Sequence, residues 1–257
     1  MRRWLPELFA LPLLPWLQAQ GKRTRRVTPR LPEAAGAREG VCLPEGGGGD
    51  DQSDGAIELF AIGESPVAGV GVETQEHAIT AEFARQLAAC RRQSVRWAAF
   101  GKNGATVADA IGEVLPLLQA LPQHKKRIVL IAFGVNDSTS FHSSGRYRRD
   151  LATLIAAVQG QLAPELLIIA GVPPLHLFPA LPQPLRHVLG MKACALSRVA
   201  QQLAASTPHA IYVPVRSDAR DRSLMAHDGY HPSAAGVRIW AQQLVQAAAA
   251  WFAAPKA

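Results

Sequence analysis

Cysteine is scarce in this chain. The 257 residues contain three, Cys42, Cys90 and Cys194, an odd number without metal-like spacing, which argues against both a disulfide framework and a zinc site. They read as small hydrophobes plus one linker thiol. Long apolar runs are missing as well. Trp4–Ala19 falls short of the roughly 20 residues that span a bilayer as a helix, and Pro6, Pro12 and Pro15 interrupt it. The Gly-x-x-x-x-Gly-Lys-Ser/Thr loop is absent, and Gly69-Val70-Gly71 lacks the third glycine of a dinucleotide loop, so nucleotide binding is disfavoured. No internal repeat is visible.

What is present is a chain with 48% hydrophobic residues, long enough to bury one sizeable core and fold as one domain with extensions. Its net charge of +7 is uneven. Residues 1–40 carry eight Arg and Lys against three Glu, residues 41–54 carry four acids and no base, and the remainder has 19 bases against 13 acids. Clusters such as Lys125-Lys126-Arg127 and Arg146-Tyr147-Arg148-Arg149 read as solvated faces, so nucleic acid is not an expected partner.

Residues 1–54 read as an apolar and polybasic tail followed by a flexible linker at Gly46-Gly47-Gly48-Gly49-Asp50-Asp51. Lys22, Arg23, Arg25, Arg26 and Arg30 follow the apolar stretch and outnumber Arg2 and Arg3 before it. The positive-inside rule keeps that side cytoplasmic, and an apolar segment plus a basic patch on residues 1–40 suits an anionic membrane surface. A cleaved signal peptide ending near Leu17-Gln18-Ala19, with a periplasmic or secreted product, is the alternative.

From residue 55 to 257 short apolar runs alternate with helical patterns. The runs are Ile57–Ile62, Val95–Phe100, Ile128–Phe133, Leu166–Gly171 and Ala210–Val215. The helical patterns cover Thr74–Arg91, Ala105–Leu121, Arg146–Leu162, Pro182–Ala205 and Ser233–Phe252. This order predicts an α/β fold, a three-layer α/β/α sandwich around a five-stranded parallel sheet, with sites at the carboxyl ends of the strands. The proline-rich stretch Pro173–Pro182 is expected either to line an acyl pocket or to be pinned to the core by Leu177 and Phe178.

Chemistry gathers at four places. Asp228-Gly229-Tyr230-His231-Pro232 sets a carboxylate three residues before a histidine. An imidazole acts as a base when one nitrogen faces the nucleophile and the other N–H is held by an acceptor, a role open to Asp228. Ser65 follows the first apolar run at Gly63-Glu64-Ser65, in the position of a nucleophile. The alternative is that it caps a helix whose first residue is Pro66, and both can hold together. Because Pro66 has no N–H, the α/β-hydrolase elbow with its donor after the nucleophile is ruled out. Gly104, after Val95–Phe100, offers a backbone N–H without an obstructing Cβ, or a plain Asn103-Gly104 turn. Asn136, in Gly134-Val135-Asn136-Asp137, carries an NH₂ that cannot titrate away and suits a developing oxyanion, or it merely holds a turn. Asp137 is expected to fix that loop. His227 and His231 flank Asp228, but Gly229 and Pro232 depart from the helical zinc-protease pattern, and no metal is expected.

Taken in order, Gly63-Glu64-Ser65, Gly104, Gly134-Val135-Asn136-Asp137 and Asp228-x-x-His231 resemble the blocks of the SGNH (GDSL) hydrolase family. The resemblance runs from about Ile57 to the end. It implies a flavodoxin-like three-layer sandwich, a catalytic triad of Ser65, His231 and Asp228, and an oxyanion hole from the N–H groups of Ser65 and Gly104 with Asn136. Glu64 stands where the family usually has Asp. The implied activity is cleavage of carboxylic esters, of lipids or of O-acyl or O-acetyl sugars, through an acyl-enzyme, with a small acyl ester as partner and no cofactor. Acyl transfer by the same acyl-enzyme is the near alternative, and a non-catalytic flavodoxin-like binding module the distant one.

Overall fold

Strand pairing places Gly63 beside Gly101 on one side and beside Ala132 on the other, so the chain leaves three central strands at one level. The computed structural model describes residues 11–44, 56–118, 126–216 and 221–254. Its sheet runs β1(Glu39–Cys42), β3(Val95–Gly101), β2(Ile57–Gly63), β4(Arg127–Ala132), β5(Leu166–Ala170), β6(Ala210–Val213) in spatial order. All neighbours are parallel except β1, which lies antiparallel on β3. Every residue of β4 and β5 is buried, as a parallel strand covered on both faces requires.

The sheet thus has six strands where the sequence predicts five. The added strand comes from the segment assigned to the tail and linker. Glu-Gly-Val-Cys is short, half polar and half exposed, so it has little pattern of its own and is held by its pairing to β3. Ala99 N–H also donates to Arg38 O at 2.7 Å, extending that contact.

Alternate residues of the central strands feed two cores. Phe60, Ile62, Val129, Ile131, Leu167 and Ile169 pack with helices α6(Ser144–Leu162) and α7(Leu185–Ser206). Leu59, Leu130, Leu166 and Ile168 pack with α2(Ile79–Arg91) and α8(Ala234–Ala253). Fully buried side chains of this kind are worth roughly 1.5–3 kcal/mol each, and they fix the strand ends on which the site is built. Of the pattern expected over Ala105–Leu121, α3(Val107–Glu113) and α4(Leu115–Leu118) form, and residues 119–125 lie outside the described region.

Helix α1(Leu14–Val27) docks on the domain. Leu17 is 3% exposed and belongs to the first core, and Leu13 packs beside it. Gln20 donates to Gln183 O at 2.7 Å and accepts from Leu185 N–H at 3.2 Å. Among the described residues no helix is long and apolar enough to cross a membrane. Leu8, Phe9 and the Gly46–Asp51 linker lie outside them.

Candidate active site

β2 ends at Gly63, where a Cβ would meet Val67 Cγ2 at 2.5 Å and Ala132 O at 2.7 Å. The chain then folds into consecutive turns, with Ala68 N–H donating to Glu64 O at 3.1 Å and Val70 N–H to Ser65 O at 2.9 Å. The helix that Pro66 could have started does not form. Gly69 and Gly71 take φ of +79° and +102° and turn the chain away. Both must be glycine for a second reason, since a Cβ would meet Ala34 Cβ at 2.4 Å in the first case and Pro232 O at 2.4 Å in the second.

Glu64 points inward. Its carboxylate accepts from Val135 N–H and Asn136 N–H, each at 2.9 Å, and from Asn136 Nδ2 at 2.7 Å. Two of these donors open the short helix α5(Val135–Thr139), so Glu64 ties the serine turn to the loop after β4 and satisfies a helix N-terminus at once. Burial pushes its carboxyl up to about 8, against the pull of the three donors and with a smaller push from Asp137.

Asp228 and His231 form a closed unit. Asp228 Oδ1 accepts from Tyr230 N–H at 2.9 Å and His231 N–H at 3.0 Å, and Oδ2 lies 2.6 Å from His231 Nδ1. Gly229, at φ +64°, permits the turn, and Ala226 N–H donates to His231 O at 2.8 Å. Burial alone would raise the Asp228 carboxyl, but the bonds from the His231 ring and from the His231 and Tyr230 N–H groups hold it below its usual value. The carboxylate therefore stays ionised, grips Nδ1 and leaves Nε2 as the nitrogen available for proton transfer. Ser233 caps the helix that follows, accepting from Gly236 N–H at 3.3 Å.

Ser65 and His231 line one narrow cavity of about 70 Å³, with Pro173, Pro174, Phe178, Met225, Tyr230 and Trp240 among its walls. In the proline-rich stretch Pro173 and Pro174 face this cavity, while Phe178 is buried in the core, Leu177 packs partly buried against it, and Leu175 and Leu181 are buried as well. Phe178 takes part in both and meets Tyr230 edge to face at 5.4 Å.

Gly104 takes φ +81° with open space where a Cβ would stand. Among the described residues neither its N–H nor that of Ser65 finds an acceptor. Asn136 differs, because both hydrogens of its amide are engaged, one by Glu64 and one by Ala105 O at 3.0 Å. Asp137 accepts from Val107 N–H at 3.3 Å and pairs with His142 Nδ1 at 2.9 Å, and burial raises its carboxyl. It holds its loop, as expected. His227 is exposed, and among the described residues no group of three or more His, Cys, Asp or Glu side chains is placed to hold a metal ion.

Sequence reasoning did not anticipate the inward turn of Glu64, though its place beside Ser65 pointed to the loop. It also missed Tyr230 and Trp240 as cavity walls, because side chains that line a pocket and side chains that fill a core look alike in sequence.

Residues 61–239 match the model of the GDSL-like lipase/acylhydrolase family. Over 239 residues the chain is 26% identical to a GDSL-like esterase of Mycobacterium tuberculosis, covering 89% of this chain and 74% of that one. Among solved structures, a G-D-S-L family lipolytic protein of Veillonella parvula superposes with a TM-score of 0.59 at 15% identity, covering 74% of this chain and 97% of its own. An aryl esterase of M. smegmatis gives 0.57 at 18% identity, covering 76% and 99%. At those identities the structural likeness bears on the fold, while the family match spans the serine turn, both intermediate loops and the Asp-His turn. The chain belongs to the GDSL-like lipase/acylhydrolase family and is a carboxylic ester hydrolase.

Proposed function

We propose that ester cleavage proceeds through an acyl-enzyme on Ser65. His231 Nε2 takes the hydroxyl proton as Ser65 Oγ attacks the acyl carbonyl, then returns it to the leaving alcohol. Water repeats the cycle to release the acid. Asp228 fixes the imidazole and stabilises its charged form. The N–H groups of Ser65 and Gly104 receive the oxyanion, and Asn136 joins them by releasing Ala105 O. The observation that carries this reading is the shared cavity of Ser65 and His231, with Asp228 Oδ2 at 2.6 Å from His231 Nδ1. The narrow apolar cavity favours a short acyl chain.

Ser65→Ala should abolish turnover of p-nitrophenyl acetate and labelling by a fluorophosphonate. Labelling retained at another serine would refute the assignment. Activity should persist in a strong chelator, because the proposed chemistry uses no metal. Inactivation reversed by added zinc would instead assign a metal to the site.

We further infer that α1 meets anionic surfaces. Lys22, Arg23, Arg25 and Arg26 are exposed on it, and Trp16 is 57% exposed beside them. The full chain should sediment with vesicles containing anionic lipid and far less with zwitterionic ones, with salt weakening the attachment. Equal indifference to both vesicle types would overturn this inference.

A further inference from the structure

The segment between α1 and β1 bonds to both turns that present the unpaired N–H groups. Glu33 Oε1 accepts from Asn103 N–H at 2.7 Å, one residue before Gly104. Its other oxygen pairs with Arg38, and Arg38 Nη1 donates to Gly101 O at 2.6 Å. The loop after β3 is thereby held on a donor and on an acceptor by one ion pair. The same segment reaches the serine turn, where Ala34 N–H donates to Ala68 O at 3.2 Å and the Ala34 methyl occupies the space that glycine leaves at position 69.

The segment is itself anchored. Ala35 N–H donates to Glu73 O at 3.0 Å, and Gln75 N–H returns a bond to Ala35 O at 2.8 Å. Gln75, 1% exposed, donates from its side chain to Ala34 O at 3.2 Å and Ala68 O at 3.0 Å. A clamp fixed at this many points transmits position, and donors aimed at an oxyanion are sensitive to position.

We propose that Glu33, braced by Arg38, is a positioning residue that sets the Gly104 N–H against the Ser65 N–H. This rests on the reading of both groups as oxyanion donors. The Asn103 bond fixes the Lys102–Asn103 peptide plane, next to the Asn103–Gly104 plane that carries the Gly104 N–H, and Gly104 at φ +81° has no side chain of its own to restrain it. Without the carboxylate the loop can tilt, and a displacement on the order of 1 Å at a catalytic group can lower rates by up to about 10²-fold.

The test uses the full chain with p-nitrophenyl acetate. Glu33→Ala should lower kcat by roughly 10- to 100-fold, leave KM within about twofold and slow fluorophosphonate labelling in proportion. Glu33→Gln retains an acceptor for Asn103 N–H and should recover most of the rate, separating the hydrogen bond from the charge. Gly104→Ala keeps the N–H but strains the φ of +81°, so it displaces the donor directly. If Gly104→Ala lowers kcat while Glu33→Ala does not, the positioning role is refuted and the oxyanion reading stands. If neither lowers kcat, the Gly104 reading falls and the proposal with it. A rate lost only together with melting temperature, and not restored by Glu33→Gln, assigns Glu33 a structural role and overturns the proposal.

Discussion

Glu64 and Asn136 make the serine turn and the loop after β4 a single unit, so each substitution there has two effects. Burial raises the Glu64 carboxyl from its ordinary 4.5 to about 8. The folded chain therefore binds that proton more tightly than the unfolded chain. Its contribution to stability is complete below about 4.5 and is lost progressively as pH rises toward about 8. Urea unfolding at pH 5 and pH 8 should show wild-type stability falling with pH more steeply than that of Glu64→Gln. A slope that survives the substitution would assign the linkage to another group. Asn136→Ala removes the bonds to Glu64 and to Ala105 O, so it should lower kcat by roughly 10²-fold and also reduce stability by about 1–3 kcal/mol. Asn136→Asp should be worse than Asn136→Ala, because it sets an oxygen with no hydrogen to give against Ala105 O, where the Asn136 amide donated. Melting curves alongside kcat would reverse this view if alanine proved the more damaging of the two.

At the scale of elements, β2, β4 and β5 were legible because burial on both faces leaves a continuous apolar run, and no helix shares their length and flanking turns. β1 was not legible, since its four residues depend on the β3 edge for their conformation. The turns after Ser65 were read as an optional helix because Pro66 suits a first helical position, whereas the close approaches at Gly69 and Gly71 that decide the matter come from distant residues. Helix α1 shows the same limit. Its apolar residues and the basic run after them point to a membrane surface, and nothing in that pattern singles out Leu17, which belongs to the first core together with Leu185 and Leu189. Leu17→Asp would put an uncompensated charge there and should release α1. Limited trypsin treatment should then cut the variant faster than wild type between Lys22 and Arg30. Unchanged cleavage would mean that α1 is held by other contacts.

For the molecule as a whole, the chemistry-bearing residues all lie beyond residue 62, so the sequence suggests that residues 1–54 are dispensable for catalysis. The architecture argues the opposite. A chain starting near Gly55 loses β1, leaving β3 as an open edge with unpaired backbone groups. It also loses Leu17 from the first core, for which a large-to-small change alone costs about 2–5 kcal/mol, and the Glu33 bond beside Gly104. The truncated chain should therefore melt well below the full chain, self-associate through the β3 edge, and retain less activity on p-nitrophenyl acetate than Glu33→Ala does, because edge, core and clamp are lost together. A second truncation starting at Pro29 separates these effects. It keeps Glu33, Arg38 and β1 while removing α1, so it should remain monomeric with a kcat close to that of the full chain and a reduced melting temperature. Size-exclusion chromatography, melting curves and kcat on both truncations decide the question: full activity and a monomeric state for the chain starting near Gly55 would show that the segment is an appendage after all.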